Sequence, residues 1–572
     1  MRGFRTVVST LATLAASITL GAVVWWPATG TGFLGDDLEG IGLAVHGSAP
    51  TAGVAPAPLY RPLALGSLRL DHSRAGLDPG SYHVTNLVLA GVSAWLVGLL
   101  VLRLWHATDP AGGHTRVRSV GGGRLAAAGA TTLFVLWPSH AEAVAWIGGR
   151  GDLLCAIGCT AALVAWLRVD DGPPTGRRWA TVVLAAGALT AALAAKETAV
   201  VWPLVVTALV VGRRWARGDD VSERWRSARA TWPLYAVTAV WLGWRAARLG
   251  SSIGGYGLDS FVAGAPSGPL TRTASVLGRS ALPALRPSGW TVVAAAVTGI
   301  ALLVAAVWAV RIPTAAPPDD AQPVRDGRRR VLWPWASLVC CWVLTAVPGA
   351  GLGTSASGSI GERLTYLSSI FVVAAAAWAL GLVWQARPPV AAAVALALVP
   401  VTLLGQVGAM QRWTDAGRAG AELTRALGSL ERDRPTVLLG VTDELGGAYV
   451  GRNAVPPTLG LLHGWSDPTG VWAATSVRSD GPVTTTVERL PTPSDAPGST
   501  RWRVTVDGPG AAITDLFPRA ATDRLGAVAV ERIDGRTVEV TVEQAPDGRA
   551  ESVVVLDGDR ATVVSGPPGP AG

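Results

Sequence analysis

From about residue 6 to residue 410 the chain is a succession of apolar stretches, each about 15 to 25 residues long and separated by Arg, Gly and Pro. A helix of that length matches the roughly 30 Å hydrocarbon core of a bilayer. This pattern constrains the fold more than any other feature of the chain. Mean hydropathy is +0.37 and only 15% of the 572 residues are charged, which is too apolar for a soluble protein of this size. Candidate spans cover about 6–26, 82–102, 123–138, 151–167, 179–195, 198–212, 231–247, 289–310, 331–348, 365–384 and 389–409. Trp25, Trp26, Trp105, Trp137, Trp179, Trp232 and Trp333 fall near span ends, where indole rings anchor at the membrane interface. The first span has no small-x-small cleavage site after "WWPATG" and reads as retained.

The net charge of +8 does not indicate a nucleic-acid partner, because the arginines sit in short loops between spans. With the N-terminus in the cytoplasm, about 21 basic residues fall in cytoplasmic connections and about 11 on the other side. An odd number of spans then places the C-terminal portion outside. Cys155, Cys159, Cys340 and Cys341 lie in or beside spans and read as packing residues.

This topology gathers the polar stretches at the outer face, and ionisable groups gathered at span ends mark a functional site. In "FLGDDLEG", Asp36 and Asp37 are adjacent carboxylates. Such a pair raises each other's pKa and can act as a base or hold a divalent cation such as Mg or Mn. The sequence does not choose between those uses. Arg61 precedes an amphipathic run suited to the membrane face, and a guanidinium matches phosphate oxygens bidentately. "WPSHAEAVAWIGGRGDLL" brings His140, Glu142, Arg150 and Asp152 between two spans. Lys196, the one lysine in the chain, is followed by Glu197 at a turn between spans; each residue has a structural use as an ion pair and a functional use against a phosphate. Glu362, Arg363 and Tyr366 stand at the outer start of another span.

The order "DD … YRPL … SYHVTNLVL … WPSHAEAVAWIGGRGDLL … AAKETAVVWPL … GERLTYL … RWTDAGRAGAEL" resembles the membrane portion of the TPR-containing transmembrane O-mannosyltransferases and their bacterial relatives. These are GT-C glycosyltransferases. The resemblance covers about residues 6 to 425, and the family's tetratricopeptide repeats are absent, so its protein-acceptor specificity does not carry over. It implies a polyprenyl-phosphate sugar donor such as a mannose donor, a protein or glycan acceptor on the outer face of the plasma membrane, and transfer with inversion. In that scheme Asp36 or Asp37 is the base. Arg61, Arg150, Lys196 and Arg363 face the donor phosphate. His140, Glu142, Glu197, Glu362 and Tyr366 orient them, with His140 and Glu142 also available to a metal. The competing classes are a transporter or lipid flippase and a non-catalytic membrane scaffold.

After about residue 430 the pattern changes. "TRWRVTVDG", "RTVEVTVEQ" and "ESVVVLDGDRATVV" alternate with period two and predict antiparallel strands. The expected fold is a mainly α polytopic bundle of about eleven spans over 1–430. A small β-rich or α/β extracytoplasmic domain over 431–565 and a disordered tail over 566–572 complete it.

Overall fold

The computed structural model describes residues 2–47, 61–108, 116–171, 176–250, 269–281, 321–351, 361–432, 434–491, 498–516, 526–543, 552–557 and 560–565. Its helices are α1 (Arg2–Trp25), α2 (Asp37–His46), α3 (Pro62–Ala75), α4 (Pro79–Thr108), α5 (Arg116–Val135), α6 (Ala141–Ala145), α7 (Arg150–Asp171), α8 (Gly176–Ala195), α9 (Trp202–Ala216) and α10 (Val221–Ala230). There follow α11 (Trp232–Leu249), α12 (Pro269–Ala281), α13 (Ala321–Ala346), α14 (Tyr366–Ala386) and α15 (Pro388–Gly428). Among the described residues seven helices are long and apolar enough to cross a membrane, and the protein is a multi-pass membrane protein. Ten of the eleven expected spans coincide with helices; the expected span 289–310 and the tail 566–572 lie outside the described residues.

Proline marks several helix starts, where its missing N–H costs nothing: Pro62 and Pro388 open α3 and α15, and Pro203 and Pro233 lie in the first turns of α9 and α11. Small residues let the spans approach closely. A Cβ on Gly91 of α4 would lie 2.6 Å from the Ile18 Cα of α1, so only glycine fits that crossing. The span-end tryptophans divide into two groups. Trp26, Trp179 and Trp232 are exposed, as membrane anchors should be, but Trp25, Trp105, Trp137 and Trp333 are buried. Trp25 Nε1 donates to the Val135 carbonyl at 2.9 Å and Trp137 Nε1 to the Ser280 carbonyl at 3.1 Å, so these rings link α1 to the end of α5 and the α5–α6 connection to α12.

Helix α15 has 41 residues, about 60 Å at 1.5 Å per residue, and carries the chain from the bundle into the strand-rich region. Three four-stranded sheets follow. Their orders are β12-β11-β1-β4, β6-β7-β10-β9 and β3-β2-β5-β8. The strands are β1 (Thr436–Leu439), β2 (Val441–Leu445), β3 (Ala448–Tyr449), β4 (Val471–Ala473), β5 (Thr475–Ser479), β6 (Thr484–Leu490), β7 (Ser499–Asp507), β8 (Ala512–Leu516), β9 (Val528–Arg532), β10 (Thr537–Glu543), β11 (Ser552–Asp557) and β12 (Arg560–Ser565). The three quoted alternating runs do form antiparallel pairs, β7 with β10 and β11 with β12. Trp502, Val504 and Val506 point inward while Arg501 and Arg503 point outward to Glu539. Elsewhere the pairing is parallel: β1 pairs with β11 and β4, and β2 with β5. Those strands are joined by long crossovers, which is how parallel pairs arise. The C-terminal part of α15 packs on β2 and β3. One apolar core runs from the bundle through Leu423 and Leu427 to Val441, Ala448 and Tyr449.

Candidate active site

The connections that hold the predicted residues all emerge at one end of the bundle: after α1, before α4, between α5 and α7, between α8 and α9, and before α14. Asp36 and Asp37 sit where α2 begins. They are not equivalent. Asp37 is 2% exposed, and its two oxygens accept the backbone N–H groups of Leu34 at 2.9 Å and Gly148 at 2.7 Å. It ties the α1–α2 connection to the turn before α7. Burial pushes its carboxyl up to about 8 against the pull of those two donors. Asp36 is only partly buried, and Asn453 Nδ2 donates to its Oδ1 at 3.1 Å. Burial raises its pKa, opposed by the positive charges of Arg363, Arg452 and Arg61. Nearby Glu39 is pushed up to about 7, first by burial and then by Asp36.

Lys196 does not pair with Glu197, as their adjacency suggested. Its Nζ donates to both oxygens of Asp152, at 2.7 and 2.6 Å, in a buried pair that joins the α8–α9 turn to the start of α7. Glu197 accepts instead from Arg61, at 3.0 Å from Nε and 2.5 Å from Nη2. Arg245 of α11 approaches the same carboxylate at 3.6 Å. Arg363 pairs with Glu142, whose Oε2 also accepts the Arg363 backbone N–H at 2.7 Å. The Arg363 guanidinium lies 4.8 Å from the Trp146 ring centroid and 3.3 Å from the Tyr449 hydroxyl. Lys196 lies within electrostatic reach of Arg61 and Arg363. Arg61, Lys196, Arg245 and Arg363 thus share one site with Asp152, Glu142 and Glu197: four cations against three carboxylates. Cations held beside a partly exposed carboxylate, Asp36, suit a phosphate and a proton acceptor side by side.

The other predicted residues serve the frame. Arg150 is 1% exposed and gives its donors to Asp71 at 2.5 Å, Asn86 at 2.9 Å, the Tyr82 carbonyl at 2.8 Å and Ser67 at 3.3 Å. With these partners the guanidinium, expected to face a donor phosphate, is occupied within the protein. The run "SYHVTN" foreshadows this, because Tyr82 and Asn86 are one helical turn apart. His140 is buried between Phe134 and Tyr366; its ring nitrogens face the Phe134 carbonyl at 2.9 Å and Ser369 Oγ at 2.7 Å. Both nitrogens thus have partners within the protein, and Tyr366 belongs to the same ring cluster. Glu362 pairs with Arg279 of α12 at 3.6 Å. Among the described residues no three His, Cys, Asp or Glu side chains come together as a metal-ligand group.

Sequence reasoning missed four contributors. Arg245 is buried at 1% exposure, and its Nε and Nη1 have no hydrogen-bond partner. Its signal was an arginine near the end of an apolar helix. Tyr449, Arg452 and Asn453 come from the strand-rich region, in "AYVGRN", which carries no motif. The Tyr449 ring lies 5.1 Å from that of Trp146, and the Arg452 guanidinium lies over the Tyr449 ring at 5.2 Å from its centroid.

No protein-family model matches the chain. It is 32% identical over 206 residues to Protein O-mannosyl-transferase Tmtc1 of Drosophila melanogaster, covering 33% of this chain and 22% of that protein. It is 32% identical over 146 residues to Tmtc3 of the same organism, covering 24% and 16%. Identity to Protein O-mannosyl-transferase TMTC3 of Mus musculus is 27% over 195 residues, covering 32% and 19%. Superposition on the crystal structure of ArnT from Cupriavidus metallidurans bound to undecaprenyl phosphate gives a TM-score of 0.47 at 13% identity, over 92% of this chain and 97% of that one. The chain resembles the O-mannosyl-transferases over a quarter to a third of its own length, and it spans about a fifth of the length of those curated relatives.

Proposed function

We propose that this protein is a GT-C-type membrane glycosyltransferase that moves a sugar, with mannose the leading candidate, from a polyprenyl-phosphate donor to a hydroxyl of a protein or glycan acceptor. The observation that carries this reading is the meeting of Asp36 with the charges of Arg61 and Arg363, brought together from distant segments at the end of a membrane bundle. A lipid-linked phosphate sits at that depth, and similarity to O-mannosyl-transferases supports the reaction class. Asp36 takes the proton of the acceptor hydroxyl as its oxygen bonds to the anomeric carbon. The bond from that carbon to the phosphate oxygen breaks, with inversion, and the polyprenyl phosphate leaves with the electron pair. Arg61, Arg245, Lys196 and Arg363 are the cations available to the developing phosphate charge. Asp37 and Arg150 hold the frame around them.

The charges cluster at span ends rather than at mid-depth, which weighs against a transport path. The arginine imbalance supports a plasma-membrane orientation with the N-terminus cytoplasmic and the site and strand-rich region outside. The test is transfer from a panel of radiolabelled polyprenyl-phosphate sugars to a delipidated cell-envelope fraction by purified protein in nanodiscs, with Asp36→Asn alongside. Sugar transfer that is lost in Asp36→Asn supports the reading. Equal transfer by wild type and Asp36→Asn, or none with any donor, counts against it.

A further inference from the structure

The strand-rich region is not an appendage to the site. Between β3 and residue 454 the chain makes a tight turn held to β2: Val450 N–H donates to Asp443 at 2.8 Å, Gly451 N–H to Thr442 at 2.9 Å and Ala454 N–H to Gly451 at 3.0 Å. The turn is docked on the Asp36 connection. Gly35 N–H donates to the Val450 carbonyl at 3.0 Å. Gly35 has φ +52°, and a Cβ there would lie 3.3 Å from the Tyr449 Cβ. Tyr449 meets Trp146 and Arg363 on the other side of the site. At the tip of the turn stands Asn453 with φ +53°, the one non-glycine residue with positive φ among the described residues. Its side-chain amide points back to Asp36 Oδ1 at 3.1 Å.

Two explanations of Asn453 are available, and they differ in what they require. Asn enters the left-handed region more readily than other side-chain-bearing residues, so it could serve the turn alone. Glycine would do that at least as well. Glycine, however, has no side chain to donate to the carboxylate, as the Asn453 carboxamide does. We propose that Asn453 is a positioning residue for Asp36: the turn delivers its amide to Oδ1, which orients the carboxylate and favours its ionised form, so that the strand-rich region completes the active site. This rests on Asp36 acting as the base. The other charged groups around Asp36 are Arg363, Arg452 and Arg61, which favour ionisation, and Asp37 and Glu39, which oppose it. None of them is altered by a change at 453.

The substitution that separates the explanations is Asn453→Gly, which keeps the turn and removes the donor. The full chain in nanodiscs is treated with a water-soluble carbodiimide and glycinamide from pH 4 to 9, and Asp36 labelling is read by mass spectrometry. Carbodiimide reacts with the protonated carboxyl, so the midpoint reports the Asp36 titration without any substrate. Loss of a donor to a carboxylate should raise that midpoint by about one pH unit. The acid limb of transfer from radiolabelled polyprenyl-phosphate mannose should move up by the same amount. An unchanged midpoint in Asn453→Gly overturns the inference and leaves Asn453 as a turn residue. Normal transfer by Asp36→Asn instead removes the base role itself, whichever way the midpoint moves.

Discussion

Lys196 Nζ lies 2.7 and 2.6 Å from the two oxygens of Asp152, with both side chains about 6% exposed. The sole lysine of the chain is therefore a buried ion-pair partner, whatever else it does. Removing one member of such a pair strands the other charge, at a cost of about 3–5 kcal/mol, whereas replacing both with apolar groups is often neutral. Lys196→Ala and Asp152→Ala should each lower the unfolding temperature clearly. Lys196→Met combined with Asp152→Leu should restore it. If Nζ also faces the donor phosphate, the restored double variant will still show kcat/KM reduced roughly 10- to 200-fold, the value of a charged hydrogen bond. Wild-type kcat/KM in the double variant would confine Lys196 to structure.

The two adjacent aspartates should separate experimentally. Asp36→Asn keeps the hydrogen-bonding shape but cannot accept a proton, and kcat should fall at least roughly 10²-fold with the fold intact. Asp37→Asn turns an amide N–H towards the N–H of Leu34 or Gly148, so its principal effect should be lower stability. Reversed phenotypes would exchange their roles.

The pH profile follows from the direction of the Asp36 shift. A base must be deprotonated, so activity is lost as pH falls through its pKa. Burial raises that pKa above the ordinary 3.8, so the acid limb of kcat/KM should lie above that of an ordinary aspartate. A limb at or below pH 3.8 would require a different base.

Much of the bundle was legible because the signal is length: an apolar tract either spans a bilayer or does not, and the residues between tracts fall on one side or the other. That placed Asp36, Arg61, Glu142, Lys196, Glu197 and Arg363 at a common end. Their partners were not legible. Lys196 has extended backbone, φ −160° and ψ 141°, and successive side chains of extended backbone point to opposite sides. Lys196 therefore turns to Asp152 while Glu197 turns to Arg61, although sequence adjacency suggests a pair. Tyr449 and Asn453 were unreadable for another reason. Their value arises only when a turn docks on a loop more than 400 positions earlier, a separation of 417 for Asn453 and Asp36.

Orientation can be checked directly. On a background with Cys340 replaced by alanine, a cysteine placed at exposed Asp507 should react with an impermeant maleimide in intact cells. One at exposed Trp225, in α10, should react only after lysis. The opposite pattern would put the site in the cytoplasm and remove the outer-face acceptor.

Arg245 offers the sharpest test of where the donor phosphate binds. The buried Arg245 guanidinium makes no hydrogen bond through Nε or Nη1; Nη1 only approaches Glu197 at 3.6 Å, a carboxylate that Arg61 already holds at closer range. A phosphate oxygen at Nε–H would supply a missing acceptor to this buried cation. Arg245→Ala should then raise the donor KM and lower kcat/KM roughly 10- to 200-fold. Arg245→Lys should recover little, because an ammonium does not reproduce the position of the Nε–H donor. The acceptor KM should not move, since the interaction is with the donor. A donor titration of the two variants decides this. If Arg245→Lys performs as wild type, any positive charge suffices at that position. If Arg245→Ala leaves the donor KM unchanged but melts at lower temperature, Arg245 serves only to hold α11 against the α8–α9 turn through Glu197.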